Sequence, residues 1–140
     1  MELDQAMQHV RSTRNGVLVT HRRDGRAQLS NIIYGVGDDG VIRISITADR
    51  AKYKNLRRDP RCELYVPGDN FWKFLVLDAD CELSPVAAER DDAAVEELVD
   101  LYRAMVGEHP NWDEYRDGMV KDKRLVARLT PSRAVGLWRD

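Results

Sequence analysis

Cysteine is scarce in this 140-residue chain: only Cys62 and Cys81 occur, with no CxxC spacing, so neither a disulfide framework nor a thiolate metal centre is expected. Both read as small buried apolar side chains. The three histidines, His9, His21 and His109, lie far apart in no ligand-like spacing, which argues against zinc or iron. No apolar run approaches the roughly 18 residues that cross a bilayer as a helix. The opening MELDQAMQHVR lacks a basic flank followed by an apolar stretch, so a secretory signal is not expected and the cytoplasm is the default. Charge of one sign is also missing, since the formal net charge is -2 and the sequence pI about 5.9, a poor balance for a nucleic-acid binder. Neither GxSxG, nor a P-loop, nor HExxH occurs. The carboxylates from Glu89 to Asp100 read as the wet face of a helix rather than a catalytic pair. An enzyme built this way borrows its reactivity from a cofactor.

What is present is alternation. A short helix is expected over Leu3 to Thr13, then strands over 16–20, 28–34 and 42–47, separated by the Asp24-Gly25 and Gly37-Asp-Asp-Gly40 turns. In the second strand Gln28, Ser30, Ile32 and Tyr34 share one face and Asn31 points the other way, between Leu29 and Ile33. These three strands predict an antiparallel meander. Further strands are expected over Cys62 to Val66 and Phe71 to Leu83, the latter as one bent strand or two. Helices follow from Ser84-Pro85 onward, with Val95, Leu98, Tyr102, Met105 and Val106 as an apolar stripe. Asn111-Trp-Asp-Glu114 reads as a capping box. Leu125 to Leu129 and Ala134 to Trp138 are strand-like pieces divided by Pro131. The expected fold is mostly β with peripheral helices (α+β), an antiparallel barrel in one domain over residues 1–140.

RAKYKNLRRDPR, residues 50 to 61, gathers six positive side chains and one negative one. A helix is expected from about Arg50 to Arg58, capped by Asp49 and stopped by Asp59-Pro60. Cations in a first helical turn oppose the helix dipole, which makes sense where an anion completes the arrangement. A phosphate site around Arg50 and Lys52 and a plain solvated helix both remain open on spacing alone. Lys54, Arg57, Arg58 and Arg61 read as solvent-facing charges.

Three stretches together resemble the pyridoxamine 5′-phosphate oxidase-like split β-barrel superfamily, of the FMN-binding split-barrel type. They are GVLVTHRRDGRAQLSN (16–31), ISITADRAKYKNLRRDPR (44–61) and LYRAMVGEHPNWDEYR (101–116). The middle one, a strand followed by R-x-K and then N-L-x-x-D-P-R, is the most specific. The nearest likeness is to the mycobacterial-type branch that uses the deazaflavin coenzyme F-420. The resemblance implies a homodimer with two equivalent cofactor sites at the subunit interface. It implies that Lys52 contacts the cofactor phosphate, supported by Arg50 and Asn55, and that Ser45 and Ile46 border the ring. Gln28, Ser30 and Asn31 match second-strand positions that face the coenzyme. Trp72 matches an aromatic position near the interface, although such a residue by itself is more often core.

The chain departs from true pyridoxamine phosphate oxidases in ending at Gly136-Leu-Trp-Arg-Asp140, without an extended C-terminal substrate segment, and QLSNIIYG is neutral where FMN enzymes are basic. The resemblance therefore implies an oxidoreductase that transfers hydride from reduced F-420 to an electron-poor double bond of a planar small molecule, with Lys54, Arg57 and Arg58 reaching the coenzyme's polyglutamate tail. FMN-dependent oxidation or reduction, and non-catalytic binding of a coenzyme or tetrapyrrole, are the alternatives.

Overall fold

Apolar side chains at every second position set the inner face of each strand, and the strands then share that face. The computed structural model describes residues 1–139, so Asp140 lies outside the described residues. In chain order the elements are α1 (Leu3–Arg11), β1 (Asn15–His21), β2 (Ala27–Ile33), β3 (Gly35–Val36), β4 (Ile42–Thr47) and α2 (Ala51–Arg58). They continue with β5 (Arg61–Pro67), β6 (Phe74–Leu83), α3 (Ala93–Met105), α4 (Trp112–Lys121) and β7 (Arg124–Leu137). The seven strands form one antiparallel sheet in the order β2-β1-β5-β6-β7-β4-β3. Leu18, Ile42, Ile44, Ile46, Leu64, Leu75, Leu77, Leu125 and Leu129 fill its concave side.

The expected meander is not formed. The strand 42–47 pairs with β7, from Ile42 opposite Leu129 to Thr47 opposite Arg124, and not with β2. Only Tyr34 separates β2, at one edge of the sheet, from β3 at the other, so the sheet must curl until its edges meet there. Tyr34 is buried at that seam, donates to the Val10 carbonyl at 2.8 Å and shares a 2.6 Å hydrogen bond with Thr13, which fastens α1 to the barrel. Beyond Tyr34 the edges of β2 and β4 diverge, and the barrel is split between them. This is the antiparallel split barrel with peripheral helices expected from the sequence.

Other boundaries differ for local reasons. The last strand runs unbroken through Pro131, because the register slips at Asp78/Ala79 and leaves the proline on the irregularity. The first long helix starts at Ala93 rather than near Ser84, where Asp92 accepts from the Val95 amide at 2.9 Å. Val106 leaves the apolar stripe as the exposed residue that ends the helix. Asn111 does cap α4, accepting from the Glu114 amide at 3.1 Å, but its own amide donates to His109 Nδ1 and no reciprocal Glu114 bond forms.

The two halves of the convex sheet surface differ. Over β4 and the start of β7 lie α3 and α4, packed through Val95, Leu98, Val99 and Val126. Arg43 and Arg128 face each other there across the two strands and both bind Glu97 of α3, at 3.1 and 2.5 Å. Glu97 is thus a half-buried clamp and not part of a wet helix face. Among the described residues no helix covers the convex side of β2, β1, β5, β6 and the end of β7. Leu29, Ile33, Phe71, Trp72, Val135 and Leu137 are exposed on that side, and Tyr65 stacks with Phe74 at 6.0 Å.

Candidate functional site

The split opens into a cleft of about 570 Å³, bordered by β2 (Asn31, Ile32, Ile33), β4 (Ser45, Ile46, Thr47), Arg50, Lys52 and Arg124, and by Tyr102, Met105, Tyr115 and Met119 of the helices. Its floor is the free edge of β2 and the part of β4 beyond its short pairing with β3. One wall is cationic and the opposite wall is aromatic and thioether.

The cationic wall is built by α2. Arg50, not Asp49, occupies the cap position, in extended conformation with no side-chain cap bond. The reason is a tight turn in which the Arg50 amide donates to the Thr47 carbonyl at 3.2 Å, moving the helix start one residue on. The first-turn amides are therefore left without a capping side chain, and a helix terminus in that state favours an anion. Lys52 stands half-buried beside them; burial first, then the charges of Arg50 and Arg124, push its ammonium pKa down. Among the described residues none of Arg50, Lys52 and Arg124 has a carboxylate within ion-pair distance. Asp49 is exposed and acts on Arg50 only at longer range. Arg50 and Lys52, without an ion-pair partner among the described residues at the uncapped start of α2, make an anion cradle, and Arg124 lines the same cleft.

The aromatic wall is a four-ring cluster in which Tyr102, His109, Trp112 and Tyr115 touch pairwise at 5.0 to 5.7 Å between centroids. Tyr115 donates to the Leu98 carbonyl at 3.0 Å, and burial pushes its phenol up to about 12, so it is a fixed wall rather than a proton source.

Of the residues expected to bind a cofactor, Asn31, Ser45, Ile46, Arg50 and Lys52 line this cleft. Gln28 and Asn55 do not. They lie on the other side of α2, in a second groove of about 600 Å³ with Arg22, Arg23, Lys54, Arg57 and Arg58. Asn55 is buried, donates to Thr20 Oγ1 at 3.1 Å and accepts from Arg58 at 3.1 Å, so it ties α2 to β1. Arg58, read as solvent-facing, is exposed and donates to the His21 carbonyl at 2.6 Å. Ser30 shares the concave-facing side of β2 with Gln28 and borders neither cavity. Trp72, expected at the cofactor site near the interface, is 72 % exposed at the β5–β6 hairpin and lines neither cavity. Arg124, Tyr115 and Met119 were missed; β7 and α4 reach the cleft only through tertiary packing, and nothing local in their sequence marks them. Both cysteines are free, and burial pushes both thiols up, so they are unreactive.

A split barrel with a cationic cradle at its opening defines the class. The chain belongs to the pyridoxamine 5′-phosphate oxidase family, whose sequence profile matches residues 3–137. Among solved structures it is similar to the conserved hypothetical protein Rv2991 of Mycobacterium tuberculosis, with 25% identity, a TM-score of 0.72, and 96% of this chain and 82% of that one covered. It is similar to an F-420 reductase at 25% identity and TM-score 0.61, covering 87% and 89% of the two chains. The heme storage protein HutZ of Vibrio cholerae shares the fold, at 20% identity and TM-score 0.68, over 97% of this chain and 95% of that one.

Proposed function

We propose that the cleft holds a flavin-type coenzyme by its phosphate, and that the coenzyme is the deazaflavin F-420. The carrying observation is Arg50 and Lys52, without an ion-pair partner among the described residues, at the uncapped start of α2 and the mouth of a cleft of about 570 Å³, a size suited to a cofactor. The donor set fits the group: uncapped amides and two α2 cations suit a phosphate, and the free edge of β2 at Asn31 offers hydrogen bonds to a ring bordered by Ser45 and Ile46. Bound there in reduced form, the coenzyme supplies hydride to an electron-poor double bond of a planar substrate, while solvent supplies the proton. The chain's own part is to fix the phosphate, aim the ring along the strand edges and exclude water from one side with Tyr102, Met105 and Met119.

Support for a deazaflavin over FMN comes from the second groove. Lys54, Arg57, Arg58, Arg22 and Arg23 line it with no acidic residue, and it meets the cleft across the first turn of α2. Those cations would hold the acidic tail of a coenzyme whose phosphate sits at Lys52, and FMN has no such tail. The likeness to an F-420 reductase points the same way.

The uncovered convex face, with Leu29 60 % and Trp72 72 % exposed, supports a homodimer. Asn31 lies on the margin shared by this face and the cleft, so a second subunit packed here borders the coenzyme. Titration of the apoprotein with F-420 and FMN, followed by oxidation of the bound reduced coenzyme across a panel of acceptors, tests the reading. Tight F-420 binding with turnover supports it. Preference for FMN, or saturable binding without turnover of any acceptor, refutes it in favour of a flavin enzyme or a carrier.

A further inference from the structure

Four arginines are half-buried among the described residues: Arg43, Arg116, Arg124 and Arg128. Three hold carboxylates. Arg43 binds Asp39 and Glu97, Arg116 binds Glu96, and Arg128 binds Glu97 and Glu82. Arg124 binds none. Its Nε is buried without a partner, and its Nη1 reaches only the Ser45 carbonyl and hydroxyl, both at 3.4 Å. Removing a guanidinium from water without an anion is unfavourable, and the same fold avoids it at the other three positions.

Position sharpens the contrast. Arg124 and Arg128 lie on the same convex face of β7, opposite Thr47 and Arg43 of β4. At Arg128 the covering helix α3 supplies Glu97 between the two arginines. Arg124 instead lines the cleft, with no carboxylate in ion-pair distance among the described residues. Arg124 stands between the α2 cradle and the aromatic wall, since its charge acts both on Lys52 and on Tyr115. Tyr102, Met119 and this guanidinium line one cleft.

We infer that Arg124 is a specificity-determining residue, and that the substrate is a planar acceptor bearing a carboxylate which forks onto Arg124, taking the place that Glu97 fills at Arg128. This rests on the proposed reading of the cleft, in which Arg50 and Lys52 hold the coenzyme phosphate and leave Arg124 for the second ligand. A bidentate guanidinium–carboxylate pair against an aromatic wall selects anionic acceptors over neutral ones of the same shape.

The test uses the coenzyme-free full chain and two isosteric probes, 2-naphthoate and naphthalene-2-carboxamide, with calorimetric titration of wild type, Arg124→Gln, Arg124→Lys and Lys52→Ala. Naphthoate is expected to bind wild type at least about tenfold more tightly than the amide. Arg124→Gln is expected to abolish that preference, and Arg124→Lys to retain part of it, because the charge stays while the fork is lost. F-420, FMN and inorganic phosphate are expected to bind Arg124→Gln within about twofold of wild type and to weaken in Lys52→Ala. Equal binding of the two probes by wild type overturns the inference. So does an Arg124→Gln protein that loses coenzyme and naphthoate alike, for Arg124 then belongs to the phosphate cradle. Failure of wild type to bind either coenzyme removes the proposed function instead, and the naphthoate comparison still reads out. Unchanged thermal melting of the Arg124 variants confirms that the loss is local.

Discussion

Replacing Lys52 with alanine separates binding from stability, because the two respond with opposite sign. In the free protein the ammonium is half-buried between Arg50 and Arg124 and has no carboxylate partner, so burial and like charge both disfavour it. Alanine removes that repulsion and is a better helix former in the first turn of α2. The free protein is therefore expected to melt no lower than wild type, and higher in low salt, where repulsion is least screened. With phosphate present the sign reverses. Losing one charge-assisted hydrogen bond removes about 1–3 kcal/mol, a weakening of about 5- to 150-fold. Paired measurements settle it: isothermal titration with F-420 or FMN, and thermal melts with and without coenzyme. The pH dependence follows the same logic. The charged ammonium binds the phosphate and its folded pKa is depressed, so affinity falls as pH rises through that pKa, earlier than for an ordinary lysine near 10.5. The free fold shows the converse, gaining stability as pH climbs through the same interval. Unchanged affinity in Lys52→Ala, or a destabilised free protein, refutes the reasoning.

Asn55→Ala is expected to lower stability by about 1–3 kcal/mol by leaving buried Thr20 unpaired, with coenzyme affinity close to wild type; denaturant melts and the same titration check both. In Gly136→Ala the new Cβ would lie 2.4 Å from the Phe74 carbonyl oxygen at a φ of +154°, so a loss of about 1–3 kcal/mol is expected in chemical denaturation. Burial works to raise the Glu97 carboxyl, but the hydrogen bonds from Arg128 and Arg43 hold it below its ordinary 4.5. Its stabilising effect is thus present above 4.5 and is lost as pH falls below it, and Glu97→Gln is expected to flatten the acid limb of a stability–pH curve. Leu29→Asp, on the uncovered apolar face, is expected to turn a dimer into a monomer in sedimentation or light scattering; a wild-type protein that is already monomeric at working concentration rejects that interface.

Much was legible in the chain alone, because it depends on near neighbours. Alternation in 42–47 placed Ile42, Ile44 and Ile46 inside, and the same rule put Asn31 on the opposite side of β2 from Ser30, as the burial pattern has it. The stop at Asp59-Pro60 and the charge of Arg50 and Lys52 are likewise local, so α2 and its cationic first turn could be read directly. Strand partners could not. Short polar turns favour pairing with the next strand, yet β4 pairs with β7 some eighty residues away, because curling the sheet buries both apolar faces in one core. That choice brings Ser45 beside Arg124, opens the cleft between β2 and β4, and puts Gln28 and Asn55 on the far side of α2. Sequence determined which residues carry charge and which face each strand buries, since those follow from bonds along the chain. Which charges are left without a partner was decided only in three dimensions, where Glu97 reaches Arg43 and Arg128 and, among the described residues, no carboxylate reaches Arg124.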